Sequence, residues 1–251
     1  DGAIGVFCGV AGVEPQSETV WRQADVYGVP RIAFVNKMDR VGADYDRAVE
    51  MIRDRLGANA VPVQLPIVSE EDFSGISDRL REKARYWDDD SLGAEIEERE
   101  IPEEMRSRAQ QARDELVQAA ADFDDEVAAR YLDEQPVSEN DLKKAFRDAT
   151  LRLDAVPVFC GSAVKTKGVQ PLLDAIVDYL PSPIDVPPVE GEATRGEEKL
   201  VRQASDEEPS SALAFKLMSD KHVGHLTYLR VYSGRVKSGD QILNANRSKK
   251  Q

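Results

Sequence analysis

Arg31-Ile32-Ala33-Phe34-Val35-Asn36-Lys37-Met38-Asp39 is the stretch on which the fold turns. An apolar run of strand length ends directly on a polar tetrapeptide. Continuous rather than alternating apolar character predicts a parallel strand covered on both faces. Open parallel sheets gather ligands at the carboxyl ends of their strands, which is where Asn36 falls. Upstream, Ala3 to Val10 is a second such run, followed by a turn at Ala11 to Pro15. Ser17 to Tyr27 then reads as a helix capped by Ser17, with Val20, Trp21, Ala24 and Tyr27 on one face and Gly28 closing it. Downstream, Val156 to Cys160 is a third apolar strand, ending on Gly161-Ser162-Ala163. The helix after it runs from about Gln170 to Tyr179, presenting Leu172, Leu173, Ile176, Val177 and Leu180. This order predicts an α/β fold, a parallel sheet with helices on both sides.

More than 100 residues separate the second and third strands, too many for an ordinary connection. An inserted mixed α/β subdomain is expected there. Val63 to Val68 and Lys83 to Trp87 are strand-like, and Glu103 to Leu153 is a string of charged helical patterns broken near Phe123 and Pro136. After Leu180, Pro181-Ser182-Pro183 and Pro187-Pro188 open an extended linker. From Ser211 short strands with glycine turns predict the start of a β-barrel. The expected divisions are 1–62 and 155–181 for the sheet domain, 63–154 for the insert, 182–209 for the linker and 210–251 for the barrel. The first residues, Asp1-Gly2-Ala3-Ile4, lack an initiator Met, so the chain reads as a piece of something longer.

With 41% hydrophobic and 32% charged residues over 251 positions, the sequence fits a soluble globular protein of two or three folding units. No run of 18 apolar residues occurs, so no membrane partner is expected. The formal charge of −14 argues against wrapping nucleic acid. From Asp88 to Asp154 there are 21 acidic against 9 basic residues, either a solvated face or a docking surface for a basic partner. Cys8 and Cys160 lie in apolar runs and read as buried, reduced thiols, which favours a cytoplasmic location. His222 and His225 have no further ligand at metal spacing, and Asp88-Asp89-Asp90 lacks the glycine and distant Glu of a calcium loop.

Asn36-Lys37-Met38-Asp39 carries the chemistry. An Asp carboxylate can accept from the ring N–H and exocyclic amine of guanine, a donor pair that adenine does not present. Asp39 would choose the base, Asn36 would bond it while tying the loop to its neighbours, and the Lys37 stem would cover its face. Gly161, Ser162 and Ala163 sit at the same sheet edge, where small residues let backbone N–H groups approach the guanine carbonyl oxygen. The alternative for either loop alone is a plain turn after a strand. The base-binding set is therefore Asn36, Lys37, Met38, Asp39, Gly161, Ser162 and Ala163. No G-x-x-x-x-G-K-[ST] loop occurs among these residues, so the phosphate half of a site is not here and no catalytic residue is assigned. The chain alone is expected not to hydrolyse GTP.

Gly12-Val13-Glu14-Pro15-Gln16-Ser17-Glu18-Thr19-Val20-Trp21-Arg22-Gln23-Ala24, with Pro30 through Arg40, resembles the run that bacterial elongation factor G carries before its base-binding loop. Lys167-Gly168-Val169-Gln170 and Asp178 to Pro183 resemble the end of its GTPase domain. Ser211 to Lys216 and Arg230 to Gly234 resemble the start of its second domain. The resemblance covers essentially the whole chain. It implies a P-loop GTPase sheet, GTP or GDP as ligand, and Mg²⁺ in the full-length protein with ligands outside this chain. It further implies a cytoplasmic monomer that works on the ribosome, touching ribosomal RNA, with the acidic insert meeting the stalk protein. Ser77-Asp78-Arg79 is more polar than that family's strand, Ser210 stands where a larger apolar residue is usual, and Lys221-His222 replaces a Pro-aromatic pair. A paralogue for ribosome recycling or antibiotic protection, and a nucleotide-silent stalk-binding module, are the other readings.

Overall fold

A computed structural model describes residues 1–69, 72–88, 93, 95–193 and 199–250; Asp89 and Asp90 of the acidic turn lie outside these. The chain forms two compact units, Asp1–Pro181 and Ser182–Gln251.

In the first unit, β1 (Ala3–Cys8), β2 (Arg31–Asn36), β3 (Ala60–Pro62) and β8 (Val156–Cys160) make one parallel sheet in the order β1-β2-β8-β3. Alternate β2 residues serve opposite layers. Ala33 and Val35 join Trp21 of α1 (Pro15–Val26) and Ala48, Val49 and Ile52 of α2 (Tyr45–Leu56). Ile32 and Phe34 join Leu142, Phe146 and Ala149 of α5 (Glu139–Leu151) and Leu172 and Tyr179 of α6 (Val169–Tyr179). The inner strands β2 and β8 are thus covered on both faces, as their apolar runs require.

Among the described residues β1 ends the sheet order, and its Val6 is 57% exposed. Three expectations about the helices are corrected. α1 starts at Pro15 behind Glu14, with no side-chain cap; Ser17 lies inside it, because proline fits a first turn whose N–H would go unbonded. Val20 and Tyr27 are exposed, and Trp21 alone fills the contact, its ring 5.9 Å from that of Phe7. On α6 the buried stripe is Leu172, Ala175 and Tyr179, while Leu173 and Val177 face outward.

Between β3 and β8 the chain builds an antiparallel sheet, β4 (Gln64–Ser69), β5 (Asp72–Asp78), β6 (Lys83–Trp87) and β7 (Ile96–Arg99). Then come α3 (Arg106–Ala121), α4 (Asp125–Leu132) and α5, with breaks near Phe123 and Pro136 as the pattern indicated. The polar Ser77-Asp78-Arg79 is buried. Asp78 accepts from the Leu80 and Arg81 N–H groups at 3.0 and 3.2 Å and faces Arg85 at 3.6 Å. Burial pushes its carboxyl above the usual range, against the pull of Arg85 and those two N–H groups. Buried Arg113 donates to the carbonyls of Arg79 and Val137, both at 2.8 Å, and so ties α3 to the β5–β6 turn.

The second unit consists of antiparallel pairs: β9 (Val189–Glu192) with β10 (Lys199–Arg202), β11 (Ser211–Asp220) with β12 (Gly224–Ser233), and β13 (Leu243–Asn244) with β14 (Lys249–Lys250). The stretch expected to be an extended linker therefore contains a strand pair. Lys199-Leu200-Val201-Arg202 is short and does not alternate polar with apolar residues, so its sequence does not mark it as a strand.

Candidate functional site

Three strand ends meet around Asn36. From β1, the Gly9 N–H donates to the Asn36 carbonyl at 2.7 Å, and the Gly9 carbonyl accepts from Asp44, the N-cap of α2, at 2.9 Å. From β8, the Gly161 N–H donates to the Val35 carbonyl at 3.0 Å and the Gly161 carbonyl accepts from the Met38 N–H at 3.1 Å. The Asn36 side chain closes the arrangement. Its Oδ1 accepts from the Lys37 N–H at 2.7 Å and the Ala163 N–H at 2.9 Å, joining the two candidate loops directly. Two N–H donors converging on one side-chain atom require that atom to be the oxygen, which leaves Nδ2 as a donor for a ligand.

Lys37 has φ 64°, a left-handed conformation unfavourable for a residue with a Cβ. It persists because bonds on either side, from Lys37 to Asn36 and from Met38 to Gly161, fix the turn. Met38 is 5% exposed and packs in the same core as Phe7 and Tyr45, so its side chain anchors the loop and does not face a ligand. Lys37 and Asp39 are half-buried, and neither side chain has a hydrogen bond or ion pair with any described residue.

The second loop is built from close backbone approach. A Cβ at Gly161 would overlap the Lys167 carbonyl oxygen and fall 2.9 Å from the Phe34 ring; Gly168, at φ 83°, is equally tight against Cys160. Ser162 and Lys167 exchange backbone hydrogen bonds of 2.9 and 3.1 Å. Ser162 is buried and Ala163 exposed. The expected free N–H groups are not found here: those of Gly161, Ser162 and Ala163 are all engaged within the protein. A guanine carbonyl oxygen would have to share or take the Ala163 N–H from Asn36. Gly9 received no role from the sequence, yet a Cβ there would press on the Met38 sulfur at 3.0 Å; a glycine directly after an apolar strand was the available signal.

Cys8 and Cys160 are free thiols. Cys160 is buried and burial alone pushes its pKa up. Cys8 is half-buried; burial raises its thiol, but the Ala11 and Val10 N–H groups and the Lys37 and Arg40 charges outweigh that and hold it below the usual value.

The donor set fits a guanine base: an unpaired carboxylate at Asp39, an amide N–H₂ at Asn36 for the ring nitrogen N7, and an alkyl stem at Lys37. Among the described residues no group of three or more His, Cys, Asp or Glu side chains is placed to hold a metal ion. Residues 1–182 match the family model of the elongation factor Tu GTP-binding domain. The fold is similar to a crystal structure of a protein from Thermus thermophilus, with TM-score 0.77 and 31% identity, covering 97% of this chain and 33% of that one. The chain thus spans about a third of that protein's length. With this match over most of its residues, the chain belongs to the elongation factor Tu GTP-binding domain family, the translational GTPases.

Proposed function

We propose that this chain is the base-recognising part of an elongation factor of the G type, a cytoplasmic, monomeric GTPase whose hydrolysis of GTP drives tRNA and messenger RNA through the ribosome. The observation that carries the base reading is the Asn36 clamp. One side chain fixes Lys37 and Ala163 together and leaves the Asp39 carboxylate unpaired between them in sequence. In this reading the bound nucleotide supplies the phosphoanhydride that the complete enzyme cleaves. The residues of this chain orient the base and exclude adenine. Asp39 accepts the two guanine N–H donors, Asn36 donates to N7, Lys37 shields one face, and the Ala163 N–H is shared with the guanine carbonyl oxygen. The G-type assignment is supported by the long insert and by the residues around Trp21 and Gln170. The acidic surface from Asp88 to Asp154 serves as the docking face for the ribosomal stalk protein.

Asp39→Asn tests the base reading. An amide places a donor where one guanine donor lies, so in the full-length protein guanine nucleotides should bind at least tenfold more weakly and xanthine nucleotides correspondingly better. Competition binding of GDP and xanthosine diphosphate measures this; unchanged GDP affinity would remove Asp39 from the site.

A further inference from the structure

The loop that carries Gly161, Ser162 and Ala163 is held at both ends by the inserted sheet, each time through a buried or half-buried glutamine. At its start, β3 leaves the parallel sheet after Pro62, and the Val63 N–H makes the last backbone bond, to Val158, at 3.0 Å. The next donor on β8 is the Cys160 N–H. The Gln64 side chain reaches back and accepts it at 3.3 Å, extending the ladder beyond the end of the strand. At the loop's far end, Gln170 in the first turn of α6 is gripped from two sides. Its Oε1 accepts from the Trp87 indole N–H at 3.0 Å, and its Nε2 donates to the Gly93 carbonyl. Gly93, at φ 76°, sits against Thr166, and a Cβ there would overlap the Thr166 hydroxyl. Thr166 is itself left-handed at φ 55° and donates its N–H to Ala163 at 3.2 Å.

We infer that Gln64 and Gln170 are positioning residues through which the inserted sheet sets the geometry of the 161–168 loop, and with it the grip on the base. This rests on the base reading above. Neither glutamine touches the candidate pocket, and both act through backbone that does. Because Trp87 belongs to the same core as Phe73 and Ile76, a shift of the insert is transmitted as a shift of Gln170. Coupling is reciprocal: a ligand that tightens the loop must equally favour the latched insert.

Hydrogen exchange on the whole chain tests the latch without nucleotide. In Gln64→Leu and Gln170→Leu, amides of residues 161–168 should exchange about tenfold faster, because each variant removes a bond worth of order one decade in opening. Those of α5 should keep their wild-type rates. Gln170→Glu keeps the acceptor for Trp87 but cannot donate to Gly93, so it should show a smaller acceleration; it decides the matter if a leucine variant also loses protection in α5. With GDP as probe, dissociation from the full-length protein carrying these substitutions should accelerate in the same order. In a Trp21→Phe background, GDP should change the Trp87 emission, a response that a purely structural role would not produce. Wild-type loop exchange in all three variants overturns the inference. So does an accelerated loop with unchanged GDP dissociation and a silent Trp87. Failure of the full-length protein to bind GDP would instead sink the base reading, and the exchange rates alone would then decide the latch.

Discussion

At the scale of single residues, the candidate site separates into side chains that would meet a ligand and side chains that hold those in place. Asn36 does both, because its oxygen is spent on Lys37 and Ala163 while its nitrogen is not. Met38 does only the second. Truncating a buried methionine leaves a cavity, so Met38→Ala should lower the stability of the first unit by about 3 kcal/mol, whereas Met38→Leu, close in volume, should cost under about 1.5 kcal/mol. Denaturant unfolding followed by Trp21 and Trp87 emission measures both; equal losses would mean that the Met38 pocket is already loose. The polar tetrapeptide and its place after a strand were legible because residue type and position carry the chemistry. The left-handed Lys37 was not, since nothing in a lysine announces φ above zero; the neighbours that fix it arrive from β1 and β8. The engagement of the Ala163 N–H was equally hidden, because its partner lies 127 residues away in the chain.

Among the elements, apolar runs announced β1, β2 and β8, but α2 and β3 were passed over although their signals were present. Asp44 caps α2 by accepting the Arg47 N–H at 2.9 Å, Gly57 ends it at φ 63°, and Ala48, Val49 and Ile52 make its buried stripe. β5 escaped for a physical reason: its Ser77 and Asp78 are buried by pairing with neighbours that only the folded sheet supplies. α5 has the most explicit start. Ser138 and Asp141 form a capping box, with the Ser138 hydroxyl 2.8 Å from the Asp141 carboxylate. That hydroxyl, followed by the Ser138 N–H and the Arg130 and Lys144 charges, holds the Asp141 carboxyl below its usual pKa against slight desolvation. A depressed carboxylate stabilises the fold above its unfolded pKa and ceases to do so as pH falls through the folded one. Ser138→Ala should therefore cost about 1 kcal/mol near neutral pH. It should also raise the Asp141 pKa toward the ordinary value. Carboxyl chemical shifts across an acid titration check the second effect; an Asp141 that titrates as in wild type would show the cap to be idle.

For the whole molecule, net charge and its placement were read from composition, and the exposure of Glu103, Glu104 and Asp114 puts that charge at the surface. Reversing all three to lysine in the full-length protein should slow ribosome-stimulated hydrolysis severalfold at low salt and much less at high salt, with intrinsic nucleotide affinity unchanged. Equal stimulation at low salt would make the acidity a solvated face only. The division of labour between sheet and insert follows from strand order. β3 and β8 are parallel neighbours, Ala60 opposite Val156, so everything from Val63 to Ala155 lies inside a single crossover between adjacent strands. Closure entropy grows only with the logarithm of length. Stretching a minimal crossover of about a dozen residues to this size costs on the order of 2 kcal/mol. The parallel sheet is thus almost indifferent to what the crossover holds, and lineages are free to enlarge or trim it. The 161–168 loop is not indifferent, because Gln64 and the partners of Gln170 travel with the insert. A relative that inherits the sheet with a trimmed crossover must find another brace for that loop, so the two can be gained or lost only together with a substitute.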